Sequence, residues 1–336
     1  MSARRLLIIS PSFHGYWRAL QDAFTTLGYE TSTHRYDEHS TVAAKARVKA
    51  SELANRVSGR MSTRETVDVA ATAKAVDAIR TTNPDVVLLI KADAFGADLW
   101  DLLNARPGPH ALWLYDEVRR TRHTAATLDA AGLLASYSPL DVSAFRKAGR
   151  DVLLVPGAFD TTVTYTPRPA QEVVFVGARY PVREDLLCRL HAAGVPVRAY
   201  GRDWSHHLAD RARTWRVSTP DLPSARDLPR ADAYGVMSGA TASLNIHFDQ
   251  DGFTMRTFET PGVGGLQLVD RPDIGDLYDP GTEVAVFTSP EEAIDLARRA
   301  ARDDRWSREL RARGQARTLA EHTFLHRARG LESLWA

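Results

Sequence analysis

An α/β protein made of two doubly wound, Rossmann-like parallel-sheet domains facing a cleft is the fold class this sequence predicts. Short apolar runs alternate with helix-patterned segments on both sides of a turn-rich stretch, the pattern of strand–helix–strand units. The length of 336 residues exceeds one ordinary core and, at about 150 residues per domain, suggests two. The segment from Ser243 to Asp270 reads as strand, acidic loop, short helix, glycine break and strand within 28 residues.

Leu6 to Ile9 opens the chain as an apolar strand, and Ser10-Pro11-Ser12-Phe13-His14-Gly15 breaks it before a helical pattern from Tyr16 to Leu27 that ends at Gly28. Residues 41 to 82 are polar and Ala-rich with helical spacing. Asp85 to Ile90 and Ala111 to Tyr115 read as buried strands, followed by the charged pairs Lys91/Asp93 and Asp116/Glu117. Val152 to Val155 closes a first domain over residues 1–157, and residues 158–170 have the composition of a linker. A second domain over 171–318 restarts with the strand Val173 to Gly177, a helix near Arg183 to Ala193 and the strand Val197 to Tyr200. Ser243 to Phe248 is apolar and β-prone, Asp251-Gly252 punctuates it, Thr254 is placed to cap a helix ended by Gly264-Gly265, and Leu266 to Val269 returns as a strand. No internal repeat interrupts this alternation.

Composition narrows the partners. Apolar residues make up 44% and charged residues 25%, an ordinary globular balance. Forty-three Lys and Arg against 42 Asp and Glu give a net charge of +1, which removes the electrostatic case for nucleic-acid or anionic-membrane binding. The single cysteine, Cys188, lies in a helix-like run and reads as a packed thiol, which fits a reducing cytoplasm. The apolar run after Arg4-Arg5 is too short for a signal sequence, and none approaches the ~20 residues of a membrane span. Small molecules are the expected partners.

Ligands of such sheets bind beyond the carboxyl ends of the strands. A helix entered from a loop offers backbone N–H groups and a partial positive charge, so the first turn after Thr254, with Arg256 and Thr257, suits a diphosphate. Arg256 and Glu259 share one helical face, where they can offer a cation to phosphate and a carboxylate to ribose, or simply form an exposed ion pair. Gly177-Ala178-Arg179-Tyr180-Pro181-Val182-Arg183 follows a strand, where glycine lets a phosphate approach and Arg179 or Arg183 supplies charge. Tyr200-Gly201-Arg202-Asp203-Trp204 follows the next strand, and its Trp204 can stack on a base or pack beneath the loop.

Leu244-Asn245-Ile246-His247, Met255-Arg-Thr-Phe-Glu-Thr-Pro-Gly-Val-Gly-Gly-Leu266, Asp276-Leu-Tyr-Asp-Pro-Gly-Thr-Glu-Val-Ala-Val-Phe287 and Ala320-Glu-His-Thr-Phe-Leu-His-Arg327 resemble, in order and wording, the CgeB-type (spore-maturation) glycosyltransferases, a two-domain family with the GT-B fold. The resemblance covers residues 172 to 330 best, and Phe145 to Asp160 is similar to that family's interdomain segment. It implies transfer of a sugar from a nucleoside diphosphate sugar, UDP-sugars being favoured, to an acceptor hydroxyl of a glycan, small molecule or protein, without an obligatory metal. It also implies a helix over 319–336 that crosses back to the first domain. Gly177, Arg183, Gly201, Asn245 and His247 become donor-site candidates through it.

Related retaining enzymes carry a Glu-x7-Glu motif here. Its second position is Glu259, on the nucleotide ribose, while its first falls on Asp251, a shorter acid, so retention and inversion both stay open. The rival reading of Asp249-Gln250-Asp251 is a GT-A-type Asp-x-Asp metal site. His322 and His326 have i, i+4 spacing without a third ligand, which suggests capping and packing, and His206-His207 reads as surface loop. His14, Asp116 and Glu117 follow first-domain strands, where one of them would act as general base on the acceptor or orient it, while Arg183 would stabilise the departing diphosphate. The alternatives in function are a sugar-nucleotide epimerase or hydrolase of the same fold, and a non-catalytic nucleotide-sugar-binding protein.

Overall fold

A computed structural model of the protein describes residues 3–37, 63–215 and 218–336. The chain divides into two compact units, Met1–Pro156 with Phe324–Ala336, and Gly157–Thr323.

The first unit carries a parallel sheet of β1 (Arg5–Ser10), β2 (Glu30–Arg35), β3 (Val86–Ile90), β4 (His110–Leu114), β5 (Leu133–Ser136) and β6 (Leu153–Leu154), in the order β2-β1-β3-β4-β5-β6. Central strands covered on both faces must be apolar throughout, and β3 is buried at all five positions. β2 is polar as an edge strand, paired among the described residues only with β1, through Arg5↔Glu30 to Ser10↔Arg35. Helix Thr63–Thr82 accounts for the second half of the Ala-rich stretch, and residues 41–62 of that expectation lie outside the described residues. The C-terminal helix Phe324–Glu332 packs on helix Tyr16–Thr26. The Tyr16 and Phe324 rings stack at 5.9 Å, Trp335 stacks on Phe24 at 5.9 Å, and the Trp335 indole donates to the Tyr29 hydroxyl.

The second unit repeats the architecture with β7 (Val173–Val176), β8 (Val197–Tyr200), β9 (Ser224–Ala225), β10 (Ala242–Asn245), β11 (Gln267–Val269) and β12 (Ala285–Val286), in the order β12-β11-β10-β7-β8-β9, all parallel. β10 is shorter than the apolar run suggested, because from Ile246 onward the chain leaves the ladder for the loop that feeds helix Met255–Gly262. Residues 158–170, expected as a linker, are laid along helix Arg230–Gly239. Arg168 and Ala170 donate backbone bonds to the carbonyls of Gly235 and Gly239. A Cβ on either glycine would sit 2.3 Å or less from the carbonyl oxygen of Thr166 or Arg168, so only glycine admits this approach. The two ends of the unit meet, since the Phe159 amide donates to the His322 carbonyl at 2.8 Å and Phe159 bridges Thr323.

Among the described residues no helix is long and apolar enough to cross a membrane. Cys188 is half-buried against the apolar core of the second unit, and burial raises its thiol pKa, as a packed cysteine requires.

Candidate functional site

In the second sheet the chain runs outward from β7 through β8 to β9, then returns to place β10 on the other side of β7 and continues to β12. The connections on β7 and β10 therefore leave in opposite directions and open a crevice beyond their carboxyl ends. Two arginines close that edge reciprocally. Arg183, on helix Pro181–Ala192 after β7, donates its Nε to the Ile246 carbonyl just past β10, at 2.8 Å. Arg256, in the first turn of helix Met255–Gly262 after β10, donates its Nε to the Val176 carbonyl at the end of β7, at 3.2 Å. Each guanidinium is thus anchored on the strand that precedes the other's helix. The Arg183 guanidinium also lies 4.9 Å from the centre of the Tyr180 ring and donates Nη1 to the Ala178 carbonyl.

Glu259 pairs with Arg256 three residues earlier, and its second oxygen accepts from the Tyr234 hydroxyl at 3.2 Å. The Glu259 side chain is 0% exposed and that of Arg256 30%, so the ion pair is neither the exposed surface pair nor a carboxylate offered to ribose. Both readings of the pair are set aside by this burial, and in the structure Glu259 holds Arg256 and Tyr234. Thr254 stands at the N-cap but makes no side-chain cap bond, a further correction, while the first turn carries no acid to oppose an anion.

Asn245, His247 and Thr257 are buried and form one internal chain. Asn245 donates to the Thr257 hydroxyl at 2.9 Å, His247 Nε2 lies 3.3 Å from the same oxygen, and His247 Nδ1 and its backbone amide meet the Asp270 carboxylate at 2.9 and 2.8 Å. A proton on Nδ1 satisfies every partner, with the Thr257 hydroxyl donating to Nε2. These three residues, expected as ligands, instead tie the start of the helix to the ends of β10 and β11.

Trp204 is likewise corrected. It is 0% exposed, its indole donates to the Gly177 carbonyl at 2.9 Å, and its ring packs edge-on to Phe175, so no face is left for a base. Gly177 and Gly201 serve the same packing: a Cβ on Gly201 would fall 2.5 Å from the Gly177 carbonyl oxygen. Arg179 is buried in a bidentate pair with Glu184, at 2.8 and 2.6 Å, and donates to the Ser218 carbonyl, which commits its charge away from the crevice. The exposed aromatic surface at this edge belongs to Tyr180 and Phe248, 41% and 49% exposed and stacked at 5.4 Å. Sequence reading did not single out this pair, since Phe248 reads there as the end of the strand from Ser243 and Tyr180 as a loop residue between two arginines.

Asp251 contributes its backbone carbonyl, with that of Gln250, to Arg271, whose guanidinium also lies 4.6 Å over the Phe253 ring. Hydrogen bonding to Asp273 raises the Arg271 pKa further and lowers that of Asp273. A fixed cation therefore braces the Asp249–Asp251 loop, which opposes a divalent ion there. Among the described residues no three His, Cys, Asp or Glu side chains gather as metal ligands. His322 caps helix Asp304–Glu321 and packs on Tyr278, and His206 and His207 lie on the surface.

In the first unit, His14 is exposed with φ 47° immediately after β1. Asp116 pairs with Lys91 at 2.6 Å, both side chains about one-third exposed. Glu117 is buried, 3.6 Å from Arg120, and so is withdrawn from any acceptor it was expected to meet. Lys91, noted in the sequence only as a charge after a strand, is the side chain that the structure adds to Asp116.

Residues 182–333 match the model of a family described as Glycosyl transferase-like. No curated protein matches the sequence. The fold is similar to sucrose-phosphate synthase from Thermosynechococcus elongatus, with TM-score 0.64 and 13% identity over 99% of this chain and 98% of that one. It is similar to HepE from Anabaena in complex with UDP and glucose, with TM-score 0.65 and 13% identity over 98% of each chain. A glycosyltransferase from Rickettsia africae gives TM-score 0.64 and 10% identity over 99% of this chain and 98% of that one.

Proposed function

We propose that this chain, an enzyme of the glycosyltransferase class with the GT-B fold, transfers a sugar from a nucleoside diphosphate sugar to an acceptor hydroxyl without requiring a metal. The observation that carries the reading is the reciprocal anchoring of Arg183 and Arg256 across the ends of β7 and β10, at the mouth of a helix N-terminus. Two fixed guanidinium groups and a helix dipole are what a departing diphosphate needs as its bond to the anomeric carbon breaks, because they are in place before the charge develops. UDP is the first donor base to test, since HepE carries UDP and glucose in its complex. Tyr180 and Phe248 offer the base or sugar the ring surface that Trp204 withholds. The wording of the segments around Glu259 and His322 supports placement with the CgeB-type enzymes.

A thermal-shift titration with UDP, GDP, TDP and CDP, with and without Mg²⁺, tests this, because a ligand of the native state raises its melting temperature. The expected result is a metal-independent shift with one nucleotide that is lost in Arg256→Ala. Turnover of a donor with no acceptor present would move the epimerase or hydrolase reading ahead. No shift with any nucleotide would overturn the donor site.

A further inference from the structure

The second sheet has a cavity at its other edge. Val173 opens β7, Pro196 immediately precedes β8 and Thr241 immediately precedes β10, so the entrances of these parallel strands meet there, opposite the crevice beyond their carboxyl ends. Helix Pro290–Arg302 adds a wall of small residues that includes Ala297, and helix Asp304–Glu321 adds Asp304, Arg308 and Arg311. The cavity measures about 550 Å³, inside the roughly 300–1,000 Å³ of small-molecule sites.

Asp304, Arg308 and Arg311 stand at i, i+4 and i+7, on one helical face, with the carboxylate about 6 Å along the axis from the first arginine and about 10 Å from the second. The Arg311 guanidinium donates Nη1 to the Ser238 and Gly264 carbonyls and Nη2 to those of Ala240 and Thr241. These bonds use every Nη hydrogen and leave Nε–H. The end of helix Arg230–Gly239, which supplies the Ser238 and Ala240 carbonyls, offsets roughly half a unit of charge, and burial lowers the Arg311 pKa with no carboxylate opposing the shift. Arg308 is exposed, and no ion pair among the described residues joins it, Arg311 or Asp304 to an opposite charge. Two like charges three residues apart on one face repel, and an anion held between them relieves both that repulsion and the half-compensated charge of Arg311.

We propose that this cavity binds a hydroxylated phosphate ester of hexose phosphate size, with its phosphate on Arg308 and the Arg311 Nε–H and its hydroxyls on Asp304. The site is separate from the donor crevice and does not depend on the glycosyl-transfer reading. The phosphate follows from the arginines, whose forked donors match phosphate oxygens. The hydroxyls follow from Asp304, which repels a second phosphate and accepts from O–H groups. Val173, Pro196 and Ala297 suit the C–H face of a sugar ring, whereas no aromatic side chain stands among the described lining residues to stack on a nucleotide base.

Calorimetric titration of the full chain with glucose 6-phosphate, inorganic phosphate and glucose tests this, with UDP titrated in parallel. We expect glucose 6-phosphate to bind about tenfold more tightly than inorganic phosphate, and glucose not to bind. Arg308→Ala should weaken glucose 6-phosphate about tenfold, while Arg183→Ala in the donor crevice leaves it within about twofold. Asp304→Asn should narrow the gap between the ester and inorganic phosphate. Arg308 and Asp304 are both exposed, so each variant should keep the wild-type melting temperature. Equal binding of ester and inorganic phosphate, binding of glucose alone, or indifference to Arg308→Ala would overturn the proposal, as would loss of the ester in Arg183→Ala, which would put it in the donor crevice. UDP binding without glucose 6-phosphate binding would remove this site and leave the transferase reading standing. Binding of the ester as expected with no nucleotide bound would do the reverse.

Discussion

Glu259 and Arg256 lie three residues apart on one helix, yet water reaches only the arginine. The spacing was legible in the sequence, since i, i+3 pairs share a face. The burial was not, because it depends on Tyr234, which arrives from a helix 25 residues upstream. A consequence separates the two residues experimentally. Arg256→Ala or Arg183→Ala should weaken nucleotide binding roughly tenfold or more, the loss of a charged hydrogen bond to phosphate. Glu259→Ala should cost about 2 kcal/mol of stability, because Arg256 and Tyr234 lose their shared partner. Glu259→Gln, which keeps the shape and one acceptor oxygen, should be milder in stability and still loosen donor binding by misorienting Arg256. Denaturant melts with calorimetric titration distinguish these outcomes. Donor affinity unchanged in both Glu259 variants would refute the orienting role.

The strand and helix pattern was read most securely where strands are buried on both faces. β1, β3, β4 and β7 announce themselves as apolar runs, whereas β2 is Glu-Thr-Ser-Thr-His-Arg and is held by edge pairing that no local pattern encodes. Strand β9 and strand β12 are two residues long and escape for the same reason. Trp204 shows the limit at a loop. Its position after a strand is equally compatible with stacking on a base and with packing, and only the Gly177 carbonyl, 27 residues away, decides between them. Trp204→Phe should therefore cost about 1–3 kcal/mol by leaving that buried carbonyl without its donor, while nucleotide affinity in the folded variant stays within twofold. Gly201→Ala should cost a similar 1–3 kcal/mol, since its methyl group meets the Gly177 oxygen. Chemical denaturation midpoints read both.

At the scale of the whole molecule, the two units should differ in their response to acid. Burial lowers the pKa of His34, His110 and His123, all in the first unit, with Arg106 adding to the effect at His110. The unfolded chain takes up these protons near pH 6.5, the folded unit only at lower pH, so stability is full above about pH 7 and falls as the solution is acidified. Melting of the first unit between pH 7.5 and 5 should show this slope, and His110→Gln should flatten it. Deleting residues 324–336 should unfold the same unit, because Phe324, Ala328, Leu331 and Trp335 are buried there, and proteolysis should then cut within 3–156 while 157–323 resists. The expectation of a helix returning to the first domain comes from family resemblance, since a nine-residue amphipathic segment does not by its own pattern say which core it joins.

The bridge from Phe159 to Thr323 carries one more implication. Residues 157–323 form an insertion whose entry and exit stand side by side in the fold, so this unit is a cassette joined to the rest of the chain through two neighbouring points. A hybrid gene could exchange it for the equivalent stretch of another enzyme by recombination at those two points alone.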